Sequence, residues 1–229
     1  MRLSVIIPTL NEERRIGALL DSFREAEAID ELIVTDGGST DSTCSIVKEH
    51  PWVRLIEAPR GRANQMNAGA RAAEGDVLWF VHADVRVPRA SATRIRRALE
   101  DTTVAGGAFR IRTFNDGAAK SWATSLLWLA DIRSTYSNVP YGDQAIFVRR
   151  KVFQELGGFP EQPLMEDLEF SRRLRRRGQV KILRERVEVS GRRFLQRPIY
   201  YTAAINLFPL LYHLGVGPAT LKRMYGDPR

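Results

Sequence analysis

A single cysteine, Cys44, in 229 residues leaves the chain unable to close an intramolecular disulfide, so its stability has to come from buried apolar surface. An uninterrupted apolar stretch of the roughly 20 residues needed to cross a bilayer is also missing. The most apolar segment, residues 199–214, is broken by Asn206, Pro209 and His213. No Gly-x-Gly-x-x-Gly follows the first apolar run, which argues against a dinucleotide-dependent dehydrogenase. A nucleotidyltransferase would be expected to carry a Gly-rich loop with a Lys or Arg there, and residues 8–12 have none. His50 and His213 have no partner His or Cys at zinc spacing and read as structural or solvent-facing. The aromatic residues lie mostly inside apolar runs and are not interleaved with basic ones, so no nucleic-acid partner is expected. Residues 1–7 run straight into Pro8 and read as a strand, not a secretion signal, which makes the cytoplasm the expected compartment.

What is present is an excess of positive charge: 35 Lys and Arg against 27 Asp and Glu, a net +8. That balance favours anionic partners such as phosphorylated substrates or an acidic membrane surface. Residues 172–177 carry five arginines and residues 184–197 five more; the first group also suits a solvated helix face.

Apolar runs at residues 3–8, 31–35, 53–56 and 77–81 read as strands. Between them, helical patterns follow Asn11 (with Ile16, Leu19, Leu20 and Phe23 on one face and Asn11 as N-cap), over residues 44–49 and over residues 63–73. Strands without polar alternation indicate a sheet covered on both faces. The expected fold is therefore α/β: a Rossmann-like, mostly parallel mixed sheet flanked by helices. Further on, helices are expected at 91–99, at 121–132 (with Trp122 and Trp128) and at 167–177, where Gly178 ends the last. An exposed strand at 107–112 is expected to pair with 145–148. The domain should span residues 1–195, with a short helical appendage over 196–229.

In such folds ligands sit beyond the carboxyl ends of the strands, where residues 8–12, 36–41 and 82–84 fall. Asp84, delivered by an apolar strand, can ligate a hard divalent cation that also holds a diphosphate, or cap the following turn. Asp36 precedes two glycines and can accept a hydrogen bond from a base or ribose, or close an Asx-turn. Glu166 and Asp167 open a helix behind the Gly157-Gly158 turn; they fit a general base, or plain stabilisation of the helix start. Arg60, Arg62 and Gln65 flank a glycine and can touch phosphate, or form a solvated basic loop.

Taken in order, VIIPTLNE (5–12), VTDGGSTD (34–41), residues 61–69, VHAD (81–84) and MEDLEF (165–170) resemble family 2 glycosyltransferases of the GT-A fold. The likeness covers residues 3 to about 180. RGRANQMNAG (60–69), YGDQ (141–144) and the Leu-Gly-Val near the end are similar to a bacterial subgroup of small, soluble members. The resemblance implies that Pro8, Thr9, Glu12 and Asp36 hold the nucleoside, with Arg62 and Gln65 nearby. It implies that Asp84 is the metal-binding end of an Asp-x-Asp motif for Mn²⁺ or Mg²⁺, and that Asp167 is the catalytic base. His82 stands where the family usually has the first Asp. Gly142, Asp143, Gln144 and Glu166, together with Arg192 and Arg193 of the C-terminal loop, become candidates for contact with donor or acceptor. The implied reaction moves a sugar from a nucleoside-diphosphate sugar to an acceptor hydroxyl. One base suits direct, inverting displacement, whereas hydrolases use a carboxylate pair; a retaining outcome stays open. Residues 199–214 either form a helix packed on the domain or on a second subunit, or lie in a membrane interface, which would suit a lipid-linked acceptor and a peripheral position at the inner membrane face.

Overall fold

The computed structural model describes residues 1–24, 29–114, 131, 139–191 and 197–226. The first half alternates as expected: β1 (Leu3–Thr9), α1 (Ile16–Arg24), β2 (Glu31–Asp36), α2 (Thr43–Lys48), β3 (Arg54–Glu57), α3 (Arg62–Ala72) and β4 (Val77–Phe80). These four strands lie parallel in the order β3-β2-β1-β4. The second half adds β5 (Val85–Arg86), α4 (Ser91–Ala98), β6 (Val104–Phe114), β7 (Phe147–Arg149), α5 (Arg150–Glu155), α6 (Glu166–Arg177) and β8 (Gln179–Ser190). β7 runs antiparallel between β4 and β6, and β6 pairs parallel with β8. The result is the mixed, helix-flanked sheet the apolar pattern implied.

Both faces of that sheet are buried. Leu3, Val5, Ile7, Trp79 and Phe147 pack with the expected α1 face of Ile16, Leu19, Leu20 and Phe23. Ile6, Ile33, Leu78 and Phe80 point the other way, towards Met66 of α3 and Phe170 and Leu174 of α6. With neither face of the sheet open to water, β4 reads as an unbroken apolar run and β1 as one interrupted only by the buried Ser4, which donates to Glu31 Oε2.

Two expectations need correction. Asn11 does not cap α1: the helix begins at Ile16, and the Glu12 carbonyl accepts from the Arg15 and Ile16 N–H groups. Asn11 instead sits at φ 55°, with its Oδ1 accepting from the Thr40 N–H at 2.9 Å, so its side chain is occupied in joining two loops. The strand at 107–112 is exposed only at its end, where Arg110 is half-buried and Arg112 exposed; it belongs to β6, an interior strand between β7 and β8 whose residues 104–109 are buried because cores cover both faces of the sheet there. At Gly107 a Cβ would come within 2.1 Å of the Lys181 carbonyl oxygen, so only glycine allows that approach. The pairing with residues 145–148 does form, through Gly106 with Val148 and Gly107 with Phe147. The helix expected at 121–132 lies outside the described residues apart from Asp131, whose carboxylate accepts from the Thr113 N–H and hydroxyl.

α6 has Glu166, Asp167 and Glu169 in its first turn and Arg175, Arg176 and Arg177 in its last, the charge order that complements the helix dipole. Much of the arginine run is a helix surface with local partners: Arg173 meets Glu169 at 3.0 Å, and Arg177 pairs with Glu155. Two further helices, α7 (Pro198–His213) and α8 (Pro218–Tyr225), pack on the domain. They build a small separate core from Ala204, Phe208 and Leu221 against Leu164. The Arg172 guanidinium lies over the Tyr212 ring at 5.6 Å and ties α6 to α7.

Candidate active site

The parallel strands end side by side, so the loops that follow β1, β2 and β4 converge on one edge. The first two are stitched together. Asn11 N–H donates to Ser39 Oγ at 2.8 Å, Glu12 N–H to Thr43 Oγ1 at 2.8 Å, and Ser42 N–H to Glu13 Oε2 at 3.1 Å. Asp36 is buried within this lattice. Its Oδ2 accepts from the Gly38 and Ser39 N–H groups at 2.9 and 2.7 Å, and its Oδ1 from Ser39 Oγ. Burial alone would raise its pKa, but these hydrogen bonds outweigh it and hold the carboxyl below its ordinary range. Gln65, also buried, spans the two strand ends by donating from Nε2 to the carbonyls of Thr9 (2.6 Å) and Thr35 (3.0 Å). Gly37 makes room for it: a Cβ there would lie 2.9 Å from Gln65 Cδ.

The other side of the site is the start of α6. Asn67 of α3 grips Phe159 from both directions, its Oδ1 accepting from the N–H at 2.9 Å and its Nδ2 donating to the carbonyl at 2.8 Å. That clamp fixes the Gly157-Gly158 turn, where both glycines have φ 74°, and with it the segment leading to α6. Met165, left-handed at φ 65°, then turns Glu166 and Asp167 inward. Asp167 Oδ2 accepts from the Gly142 N–H at 2.7 Å and Oδ1 from the Leu168 N–H at 2.7 Å. Gln144 holds the Gly142 turn in place: its Oε1 accepts from the Tyr141 N–H and its Nε2 donates to the Phe109 carbonyl, both at 3.0 Å. Glu166 Oε1 meets Arg62 Nε at 2.7 Å. Burial pushes the Glu166 carboxyl up, with Arg62 opposing, and Glu166 keeps the Arg62 guanidinium charged. Glu166 Oε2 is buried with no hydrogen-bond partner among the described residues.

Between these walls lies a cleft of about 520 Å³. Pro8, Glu12, Arg62, Gln65, Asp84, Asp143, Glu166 and Asp167 line it, together with His82. Thr9, Asp36, Gly142 and Gln144 are not part of that lining; Thr9 and Asp36 brace one loop, and Gly142 and Gln144 brace Asp167. Arg192 and Arg193 lie outside the described residues. The far wall is α7 and α8, through Tyr201, Ile205, Phe208, Lys222 and Tyr225, with Gln162 and Leu164 beneath. Tyr201, Ile205, Phe208 and Tyr225 escaped the sequence reading as site residues, because apolar residues at helical spacing look like ordinary core. Asn67 escaped too; the one signal was a second polar residue, beside Gln65, among the Ala, Met and Gly residues that α3 buries.

The donor chemistry suits a divalent cation shared with a ligand. His82 and Asp84 offer an imidazole and a carboxylate to one cleft. The described residues contain no cluster of three or more His, Cys, Asp or Glu able to hold a metal. A cation there would therefore complete its shell with ligand oxygens, as ions bound through diphosphates do.

Residues 4–157 match the family described as Glycosyl transferase family 2. The chain belongs to that family. It is 25% identical over 199 residues to the probable glycosyltransferase YdaM of Bacillus subtilis, covering 76% of this chain and 46% of the other. Mannosyltransferase PcManGT from Pyrobaculum calidifontis, solved with GDP-Man and Mn²⁺, superposes with a TM-score of 0.69 at 22% identity, covering 97% of this chain and 67% of that one. S. aureus TarS 1-349, solved with UDP-GlcNAc, gives 0.68 at 18% identity, covering 90% and 65%. At these identities the two structures establish the fold, which is that of this family. The chain spans less than half the length of the curated relatives it matches.

Proposed function

We propose that this chain transfers a glycosyl group from a nucleoside-diphosphate sugar to an acceptor hydroxyl, with inversion at the anomeric carbon. The observation that carries the reading is Asp167, held by the Gly142 N–H in the same cleft as Asp84 and the loop of Pro8 and Glu12. The acceptor oxygen bonds to the anomeric carbon as the bond to the diphosphate oxygen breaks; the electron pair leaves with the diphosphate, and Asp167 takes the acceptor proton. Proton removal of this kind contributes roughly 10²–10⁴-fold. Pro8, Thr9, Glu12, Asp36 and Gln65 shape the nucleoside end, with Arg62 towards the phosphates. Glu166 Oε2, buried without a hydrogen-bond partner among the described residues, would accept from a sugar hydroxyl, which would satisfy an acceptor that otherwise carries a desolvation cost.

Asp84, with His82 beside it, would hold Mn²⁺ or Mg²⁺, which when bound would offset charge on the departing diphosphate. Arg192 and Arg193 remain candidates for closing over that group. We read residues 1–195 as the transferase domain and 196–229 as an appendage that walls the acceptor side. The apolar surface of Ile205, Phe208 and Tyr225 there suits an acceptor with an apolar body, a lipid-linked hydroxyl among them, and a working position in the cytoplasm at the inner membrane face. The test is a panel of nucleoside-diphosphate sugars scored for thermal stabilisation with and without Mn²⁺. Stabilisation by one donor class that depends on the metal supports the reading; none by any member overturns it.

A further inference from the structure

α7 has two apolar faces, and only one is used by the fold. Ala204 and Phe208 are buried against the domain, while Tyr201 and Ile205 line the cleft. On the opposite side Ile199, Leu207, Leu210 and Leu214 are 74, 45, 52 and 71% exposed. At 3.6 residues per turn these four fall within an arc of roughly 80°, so they form one stripe along the helix. Met224 of α8, 50% exposed, lies next to it: Tyr200 donates its hydroxyl hydrogen bond to the Met224 carbonyl. Single exposed leucines are ordinary; a continuous stripe of them marks a contact surface.

The charge around that stripe says what it contacts. Residues 197–226 contain no Asp or Glu and three cations, Arg197, Lys222 and Arg223, of which Lys222 lines the cleft. Arg197 and Arg223 are exposed. A symmetric contact with a second copy through this face would bring Arg197 and Arg223 against the same two arginines, with no acid between residues 197 and 226 to separate them, an arrangement that like-charge repulsion disfavours. Crossing a bilayer is excluded for this helix: 16 residues reach about 24 Å, against roughly 30 Å of hydrocarbon. An anionic bilayer surface satisfies both features at once, taking apolar side chains at the head-group boundary and Lys and Arg at the phosphates.

We propose that the outer face of α7, with the adjoining end of α8, docks on an anionic lipid bilayer. The helix lies in the plane of the interface with Ile199, Leu207, Leu210 and Leu214 down and Arg197 and Arg223 at the head groups. Because the inner face of the same helix walls the cleft, docking brings the apolar side of the cleft to the membrane. The contact does not depend on the transfer reading, and it is measured without nucleotide.

The experiment is flotation of the full chain with vesicles of phosphatidylcholine and phosphatidylglycerol in equal parts, against phosphatidylcholine alone, at low and high salt. The expected result is flotation with the mixed vesicles only, weakened by salt. Leu207→Glu with Leu210→Glu should lower binding at least roughly tenfold with an unchanged circular dichroism spectrum. Arg197→Glu with Arg223→Glu should lower it by roughly fivefold or more for each cation reversed. No flotation of the parent chain with mixed vesicles at low salt overturns the proposal. So does a dimer in light scattering that the double leucine variant disperses, which would give the face to a second copy.

Discussion

The backbone N–H of Gly142 donates to Asp167 Oδ2 at 2.7 Å, joining the turn before β7 to the first turn of α6. That bond fixes the carboxylate from the side, and the absence of a side chain at Gly142 is what permits it. A Cβ there would lie 3.2 Å from Asp167 Oδ2 and 2.9 Å from His82 Cε1. Gly142→Ala should therefore displace His82 or Asp167 by a few tenths of an ångström. We expect transfer to fall roughly 10- to 100-fold, given how steeply rate depends on alignment of reacting groups, while affinity for free nucleoside diphosphate changes less than threefold. Parental turnover in Gly142→Ala would show that the bond does not position the base.

Arg62 and Glu166 form an ion pair with one partner buried and the other about a third exposed. Removing one side leaves the other without its counter-charge, which costs about 1–3 kcal/mol after allowance for solvent at Arg62. Glu166→Ala and Arg62→Ala should each lower stability by that amount, and the double variant by clearly less than the sum. Additive losses in a denaturant double-mutant cycle would mean the two side chains do not couple.

Asp36 gives a pH dependence of defined sign. Its folded pKa lies below the ordinary value because Ser39 and Gly38 hydrogen-bond the ionised form more strongly than burial penalises it. The stability it contributes is present above its unfolded pKa, about 4, and is lost as pH falls through the folded value. Asp36→Asn should thus be less stable than the parent at neutral pH, and the gap should close below about pH 4. A gap of equal size at pH 7 and in acid would contradict the assignment.

The parallel half of the fold was legible because strands buried on both faces leave apolar runs such as residues 3–8 and 77–81. The loops that bear His82, Asp84 and Asp36 followed from where those runs stop. Other features were hidden for physical reasons. Phe109 and Ile111 interleave with Arg110 and Arg112, and that alternation holds in the structure, but the burial of residues 104–108 on both faces depends on helices and strands that the segment itself does not encode. Asn11 has the chemistry of a cap, and only the neighbouring loop diverts it. Gln65 and Asn67 carry no marker in the chain for the backbone groups they brace, 30 or more residues away. The α7 wall was ambiguous for a sharper reason: its apolar residues serve two opposite faces, so no single amphipathic face stands out.

Asp84 is the test of the metal reading. Asp84→Asn removes the carboxylate and keeps its size, so the fold should hold. Mn²⁺-dependent binding of the nucleoside-diphosphate sugar, read by calorimetry, should weaken at least roughly tenfold, while metal-independent binding stays near the parent value. Equal Mn²⁺ dependence in parent and variant would place the cation elsewhere.

The most direct measurement compares the parent and Asp167→Asn on the stabilising nucleoside-diphosphate sugar with Mn²⁺, following donor affinity and diphosphate release together in the presence of acceptor-containing extract. The account predicts that donor affinity is kept within about threefold while release falls at least roughly 10²-fold, since only the proton acceptor has been removed. Release at near-parental rate from Asp167→Asn would contradict it.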